Sequence, residues 1–338
     1  MNRRSLLRAL ASASLFGMPL ACGARAALGI IAGAFGELPE PAMVRRVFAA
    51  GGPAAVLVYV LAPQTLLGWP APLDDEARRL LPRVRADLPH LGRLSQRGST
   101  VTIESLLAMS PDLILDAGTV DPTRLSNAER MAQQTDLPYL LVDGHLLDHP
   151  AQLREIGRLL GMPKRGEALA IEAEHIFDQT RSILAKEGSR ARPRVYYART
   201  EDGLETALDG SINMEVFDFV GARNVAALGG RGGVARVSME QVLAWDPEMI
   251  VTQDAKFAQR ALEDPLWRTV HAVRARRVHV APNVPFGWLD GPPGVNRLIG
   301  VPWLLSLLYP GRHPELAPAR IRERTAHFYQ TFYGSEPP

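Results

Sequence analysis

The sequence predicts an α/β protein of two Rossmann-like lobes, each built on a parallel sheet, joined by a single long rigid α-helix. Three observations predict it. A helix–turn–strand unit occurs twice, far apart in the chain. An uninterrupted helical stretch lies between the two copies. Elsewhere short apolar runs alternate with helical patterns, the signature of parallel strands covered on both faces.

The repeat is the strongest of the three. Residues Thr102 to Leu115 align without a gap on Ser238 to Val251. Thr102 or Ser238 is a good N-cap, because its hydroxyl can accept a hydrogen bond from an unpaired backbone N–H. Glu104 or Glu240 follows in the first turn, where the helix dipole favours an anion. An apolar stripe comes next, Pro111 or Pro247 stops the helix, and Leu113-Ile114-Leu115 or Met249-Ile250-Val251 reads as a buried parallel strand. Two distant copies imply two similar lobes rather than a solenoid.

Lys164 to Glu187 contains no proline and a single early glycine, Gly166. Its Leu169, Ile171, Ile176 and Leu184 fall roughly on a helical period, giving a helix of about 35 Å at 1.5 Å per residue. A helix of that length is a stiff spacer, so a ligand cleft is expected between the lobes. The remaining elements follow the same plan. Val44 to Ala50, Leu137 to Val142, Arg194 to Arg199 and Val278 to Pro282 read as strands. Pro53 to Ala62, Ala151 to Leu160, Gly294 to Leu308 and Ala317 to Phe332 read as helices. Residues 27–163 form the first lobe, 164–187 the linking helix and 188–338 the second lobe.

Composition bounds the function. The 338 residues are 46% hydrophobic and 22% charged with a net charge of +2, which suits two ordinary globular domains and points to neither nucleic acid nor a lipid surface. One cysteine, Cys22, excludes a disulfide framework and any multi-cysteine metal site. Residues 1–26 read as an export signal: Arg3, Arg4 and Arg8, an apolar run from Leu10 to Ala21, then Ala24-Arg25-Ala26 at cleavage spacing. Arg3-Arg4 resembles a twin-arginine signal, with an ordinary secretory signal as the alternative. Cys22 is a candidate lipid anchor, although Pro19 stands where a lipobox usually has leucine. Either way the mature chain is expected in the periplasm, and because Cys22 leaves with the signal or is lipidated, no thiol nucleophile is expected in it. No G-x-S-x-G, H-E-x-x-H or G-x-x-x-x-G-K-[ST] motif is present, so an enzyme is not expected.

The paired Thr102-Ile103-Glu104 and Ser238-Met239-Glu240 units, the long helix, and the segment Pro285-Phe286-Gly287-Trp288-Leu289-Asp290-Gly291-Pro292-Pro293-Gly294-Val295-Asn296-Arg297-Leu298 together resemble the class III solute-binding proteins of ABC importers for iron–siderophore complexes and cobalamin. The resemblance runs from about Val44 to Tyr309. It implies a monomer with a shallow inter-lobe cleft and a small closing motion, which delivers its ligand to a permease dimer in the inner membrane. In that family the first-turn glutamate of each lobe docks on permease arginines, and Glu104 and Glu240 match that pattern.

Cleft contacts are expected from the loops that lead into the repeated helices. Arg93, Arg199 and Arg236 are candidates to bind a small anionic metal complex, with Arg97 and Arg231 more simply read as solvated charges. Trp288, Phe286, Tyr197 and Trp69 are candidate aromatic contacts, Tyr196 and Tyr197 pointing to opposite faces of their strand. No resident cofactor is expected. A ferric siderophore is the leading ligand, with a molybdate-like oxyanion, another metallophore, haem or cobalamin as alternatives. A bare divalent ion is a weaker reading, resting on His145 and His149 with Asp143 and Asp148.

Overall fold

The computed structural model describes residues 29–94, 99–188, 192–230 and 232–338. The export signal, Cys22, Arg97 and Arg231 lie outside the described residues.

The first lobe holds β1 (Ile31–Phe35), β2 (Val47–Ala49), β3 (Leu113–Gly118) and β4 (Tyr139–Asp143), in the sheet order β1-β4-β3-β2. The second holds β5 (Arg194–Ala198), β7 (Arg223–Asn224), β9 (Met249–Thr252) and β10 (Val278–Val280), in the order β10-β9-β5-β7, with a separate two-stranded sheet of β6 (Glu205–Ala207) and β8 (Val234–Arg236). Both repeated strands take the same place: β3 lies between β2 and β4, and β9 between β5 and β10, with parallel pairing throughout. All six residues of β3 and all four of β9 are buried, as their unbroken apolar runs require.

The repeat survives in atomic detail. Thr102 Oγ1 accepts from Ser105 N–H at 3.2 Å, and Ser238 Oγ from Gln241 N–H at 3.3 Å. Gln241 Oε1 also accepts from Ser238 N–H at 2.8 Å, completing a capping box. Each helix, Ile103–Ala108 and Met239–Trp245, is left through a left-handed residue, Ser110 (φ 44) and Asp246 (φ 40), immediately before the proline. A residue before proline is pushed out of the right-handed helical region, so Ser110-Pro111 and Asp246-Pro247 turn the two copies into their strands in the same way.

Differences from the expected elements have physical causes. The chain adds β1, antiparallel to β4, an edge strand whose glycine and alanines give no strong alternation. The Gly-rich segment before Ser238 is partly strand: Val234–Arg236 pairs antiparallel with β6. The linking helix spans Pro163–Glu187, and its buried stripe is Gly166, Leu169, Ala170, Ala173, Phe177, Thr180 and Ile183. Ile171 is not part of it, being 55% exposed. Gly166 is needed for close approach. A Cβ there would lie 2.4 Å from the Leu153 carbonyl oxygen of helix His149–Leu159, and one on Gly157 would lie 2.8 Å from Gly166 Cα.

The linking helix is fastened at both ends. Arg165 Nε donates to the Val60 carbonyl at 3.0 Å, and its Nη2 to that of Thr331 at 2.6 Å. At the other end Glu187, 7% exposed, accepts from Arg312 Nη1 at 2.6 Å and pairs with His313 Nε2 at 2.7 Å. No helix among the described residues is long and apolar enough to cross a membrane.

Candidate ligand cleft

A pocket of about 400 Å³ opens between the lobes. The first lobe contributes the start of helix Gly52–Leu61 and the segment from Trp69 to Ala77; the second contributes Gln253, Asn283, Phe286 and the Gly291-Pro292 turn. Gly52 permits the approach of the lobes, since a Cβ there would meet Pro292 Cβ at 2.9 Å. The wall is largely apolar. Trp69 and Phe286 stand with ring centroids 5.7 Å apart, backed by Tyr59 at 5.7 and 6.1 Å. Trp69 Nε1 donates to the Arg85 carbonyl at 2.9 Å, so its indole is held in place.

Of the expected contacts, Trp69 and Phe286 line this pocket and the others lie elsewhere. Arg93 is exposed on its loop. Arg199 is spent in ion pairs: Nη2 lies 2.7 Å from Asp290 Oδ2 and Nη1 lies 2.5 Å from Glu205 Oε1. Arg236 pairs with Asp202, drawn off by the antiparallel pairing of β8 with β6. Among the described residues no arginine lines the pocket, so Arg93, Arg199 and Arg236 give no reason to require an anionic ligand.

Tyr196 and Tyr197 do point to opposite faces of β5, but both faces are covered and both rings are fully buried. Tyr196 donates to the Gly203 carbonyl at 2.7 Å, and Tyr197 packs on Phe217 at 5.0 Å. Trp288 is a core residue too, 5% exposed, with Nε1 donating to Tyr329 Oη at 3.2 Å and its ring against Trp303. A loop rich in glycine and proline places its aromatics on either side, and sequence alone does not say which.

His145 and His149 do not form a metal site. Among the described residues no three histidine, cysteine, aspartate or glutamate side chains come together to hold an ion. His145 Nδ1 instead pairs across the lobes with Glu215, and its Nε2 is 3.6 Å from Asp143 Oδ1. His149 is buried against Gln152 Oε1 at 2.7 Å. Sequence reading missed the residue that ties these together, Arg297. It is wholly buried and donates to the carbonyls of Gly144 at 2.6 Å and Ile212 at 2.7 Å and to Glu215 Oε2 at 2.9 Å. Its signal was a lone arginine in an apolar helix, a placement that demands partners.

Burial, and then the Arg297 charge, push His149 down to about 3, whereas the Glu215 hydrogen bond raises His145. The two act oppositely on stability. His149 supplies stability that is complete above its unfolded value of 6.5 and is lost as pH falls from there toward about 3. His145 supplies stability present below 6.5 and lost as pH rises through its higher folded value. His149→Gln is therefore expected to flatten the acid limb by up to about 1.4 kcal/mol per pH unit. Urea midpoints of both proteins between pH 7 and pH 4.5 check this; parallel curves would show that His149 is not the acid-sensitive group.

Glu104 and Glu240 are exposed, one at the head of each repeated helix. Both carboxyls are held below the usual range. For Glu104 the cause is its own backbone N–H and then the Thr102 hydroxyl; for Glu240 it is the Ser238 hydroxyl and then its backbone N–H.

A two-lobed frame with one linking helix and a cleft between the lobes invites comparison with known proteins. Residues 91–285, more than half of the chain, match the periplasmic binding protein family. The chain belongs to that family. A solute-binding protein of an ABC transporter from Sulfurospirillum deleyianum is 28% identical, with a TM-score of 0.80 over 89% of this chain and 93% of that one. The molybdate-binding protein MolA of Haemophilus influenzae is 27% identical over 275 residues, 72% of this chain and 74% of its own. The structure of MolA bound to molybdate has a TM-score of 0.71 at 22% identity, covering 89% of this chain and 96% of that one. The binding protein described here is thus a class III periplasmic component of an ABC transporter, and not an enzyme.

Proposed function

We propose that this binding protein captures an organic metal complex, with ferric siderophores as the leading class, and presents it to its permease through Glu104 and Glu240. The observation that carries the cargo reading is the pocket itself, about 400 Å³ and walled by Trp69, Phe286 and a series of prolines. Such a wall suits an organic periphery, and the volume lies in the range of small-molecule sites. With no guanidinium among the described pocket residues, a charge-neutral complex such as a ferric trihydroxamate fits better than a triply anionic ferric tricatecholate, whose desolvated charge would need pairing.

A second reading is a molybdate-type oxyanion. The uncharged start of helix Gly52–Leu61 and the Gln253 amide favour it, since helix N-termini bind oxyanions without a cation, and the MolA relative supports it. Native mass spectrometry of the mature chain decides between them, offered ferric trihydroxamate, ferric tricatecholate, cobalamin, haem and molybdate in competition. Retention of the neutral ferric complex is expected; selective retention of molybdate would put the second reading in its place.

A further inference from the structure

Two polar supports converge from behind on the second-lobe wall of the cleft. Gln253, the residue after β9, lines the pocket, and its Nε2 donates to Tyr197 Oη at 2.5 Å. Tyr197 is fully buried on the central strand β5 and does not reach the pocket. One residue beyond β5, Arg199 holds Asp290 through Nε at 2.9 Å and Nη2 at 2.7 Å. Asp290 Oδ1 in turn accepts from Gly291 N–H at 2.7 Å, fixing the turn that lines the pocket beside Gln253. Gly287 lets that loop fold onto the glutamine, since a Cβ there would lie 2.4 Å from Gln253 Oε1.

We propose that Gln253 is the specificity-determining polar contact of the cleft, and that Tyr197 and Arg199 are positioning residues that hold it and its neighbouring turn rather than ligand contacts. With one N–H given to Tyr197, the carboxamide keeps a second N–H for an oxygen acceptor on the cargo, such as a metal-bound hydroxamate oxygen or an amide carbonyl. Asn283, the other side-chain amide of the pocket, is exposed and makes no side-chain hydrogen bond among the described residues. An amide held before binding loses less freedom on contact than a loose one, so Gln253 rather than Asn283 should discriminate.

The assignment rests on the cleft being the cargo site, and the test separates the two. Titration calorimetry would use the tightest binder among ferric trihydroxamate, ferric tricatecholate, cobalamin, haem and molybdate. Gln253→Ala is expected to weaken binding about tenfold, and Gln253→Glu more, because it replaces a donor with a charged acceptor. Tyr197→Phe should weaken binding several-fold in the wild-type background yet have no effect in Gln253→Ala, the non-additivity expected of a residue that acts through the glutamine. A merely structural role would lower affinity in both backgrounds. Binding by Gln253→Ala within twofold of wild type overturns the assignment alone. Failure of the wild type to bind any of the five probes overturns the cargo reading and this assignment with it.

Discussion

Arg297→Ala is expected to lose about 3–5 kcal/mol of stability, the usual cost of breaking a buried ion pair from one side. The guanidinium is wholly buried and spans both lobes. Gly144 belongs to the first lobe, while Ile212, Glu215 and Gly294 belong to the second, and all four accept from it. Without it two carbonyls lose their donors and Glu215 keeps only His145 and the Leu146 N–H. Arg297→Lys should fall between, since an ammonium keeps the charge but cannot spread planar donors over four acceptors. Urea denaturation at pH 7 measures both. A loss under 1 kcal/mol for the alanine variant would show that the lobes are held together elsewhere.

The largest functional effect is expected from Glu104→Lys combined with Glu240→Lys. Uptake of the cargo should be abolished while the isolated protein keeps its fold and affinity. Both side chains are exposed and neither lines the pocket, and exposed charges add little to stability. Like charges forced together across an interface cost several kcal/mol, so two lysines facing permease arginines would prevent docking. Each single variant should be intermediate. Transport assays in cells carrying the double variant, with calorimetry on the purified protein, provide the check; wild-type uptake would remove both glutamates from the docking surface.

What could be read in the sequence was what is local. The cap, first-turn glutamate, proline and apolar strand of each repeat all lie within 14 consecutive positions, about the reach of helix and turn chemistry, and the linking helix is one unbroken run. The cleft was harder because its character depends on distant partners. Arg199 looks like a ligand contact until Asp290, 91 residues away, neutralises it. Trp288 and Trp69 looked alike in sequence, yet one indole turns to Tyr329 and the other to the cleft. Gln253 could have been found, because it follows the central strand of the repeated unit and ligands gather at the carboxyl ends of such strands. Its side chain is neutral, so that position is the one signal the sequence carries for it.

The fastening of the linking helix at Arg165 and Glu187 bears on how cargoes compare. A binding protein that visits many lobe arrangements binds more weakly than its contacts allow, by the fraction of time it spends in the competent one. Arg165 is tied to both the first lobe and the chain's last turn, and Glu187 to Arg312 and His313, so this frame has few arrangements to divide its time among. Little of the binding free energy then goes into selecting a shape. Differences in affinity between two cargoes therefore report their fit to the cleft wall almost directly, and a ranking of ligands becomes a chemical map of that wall.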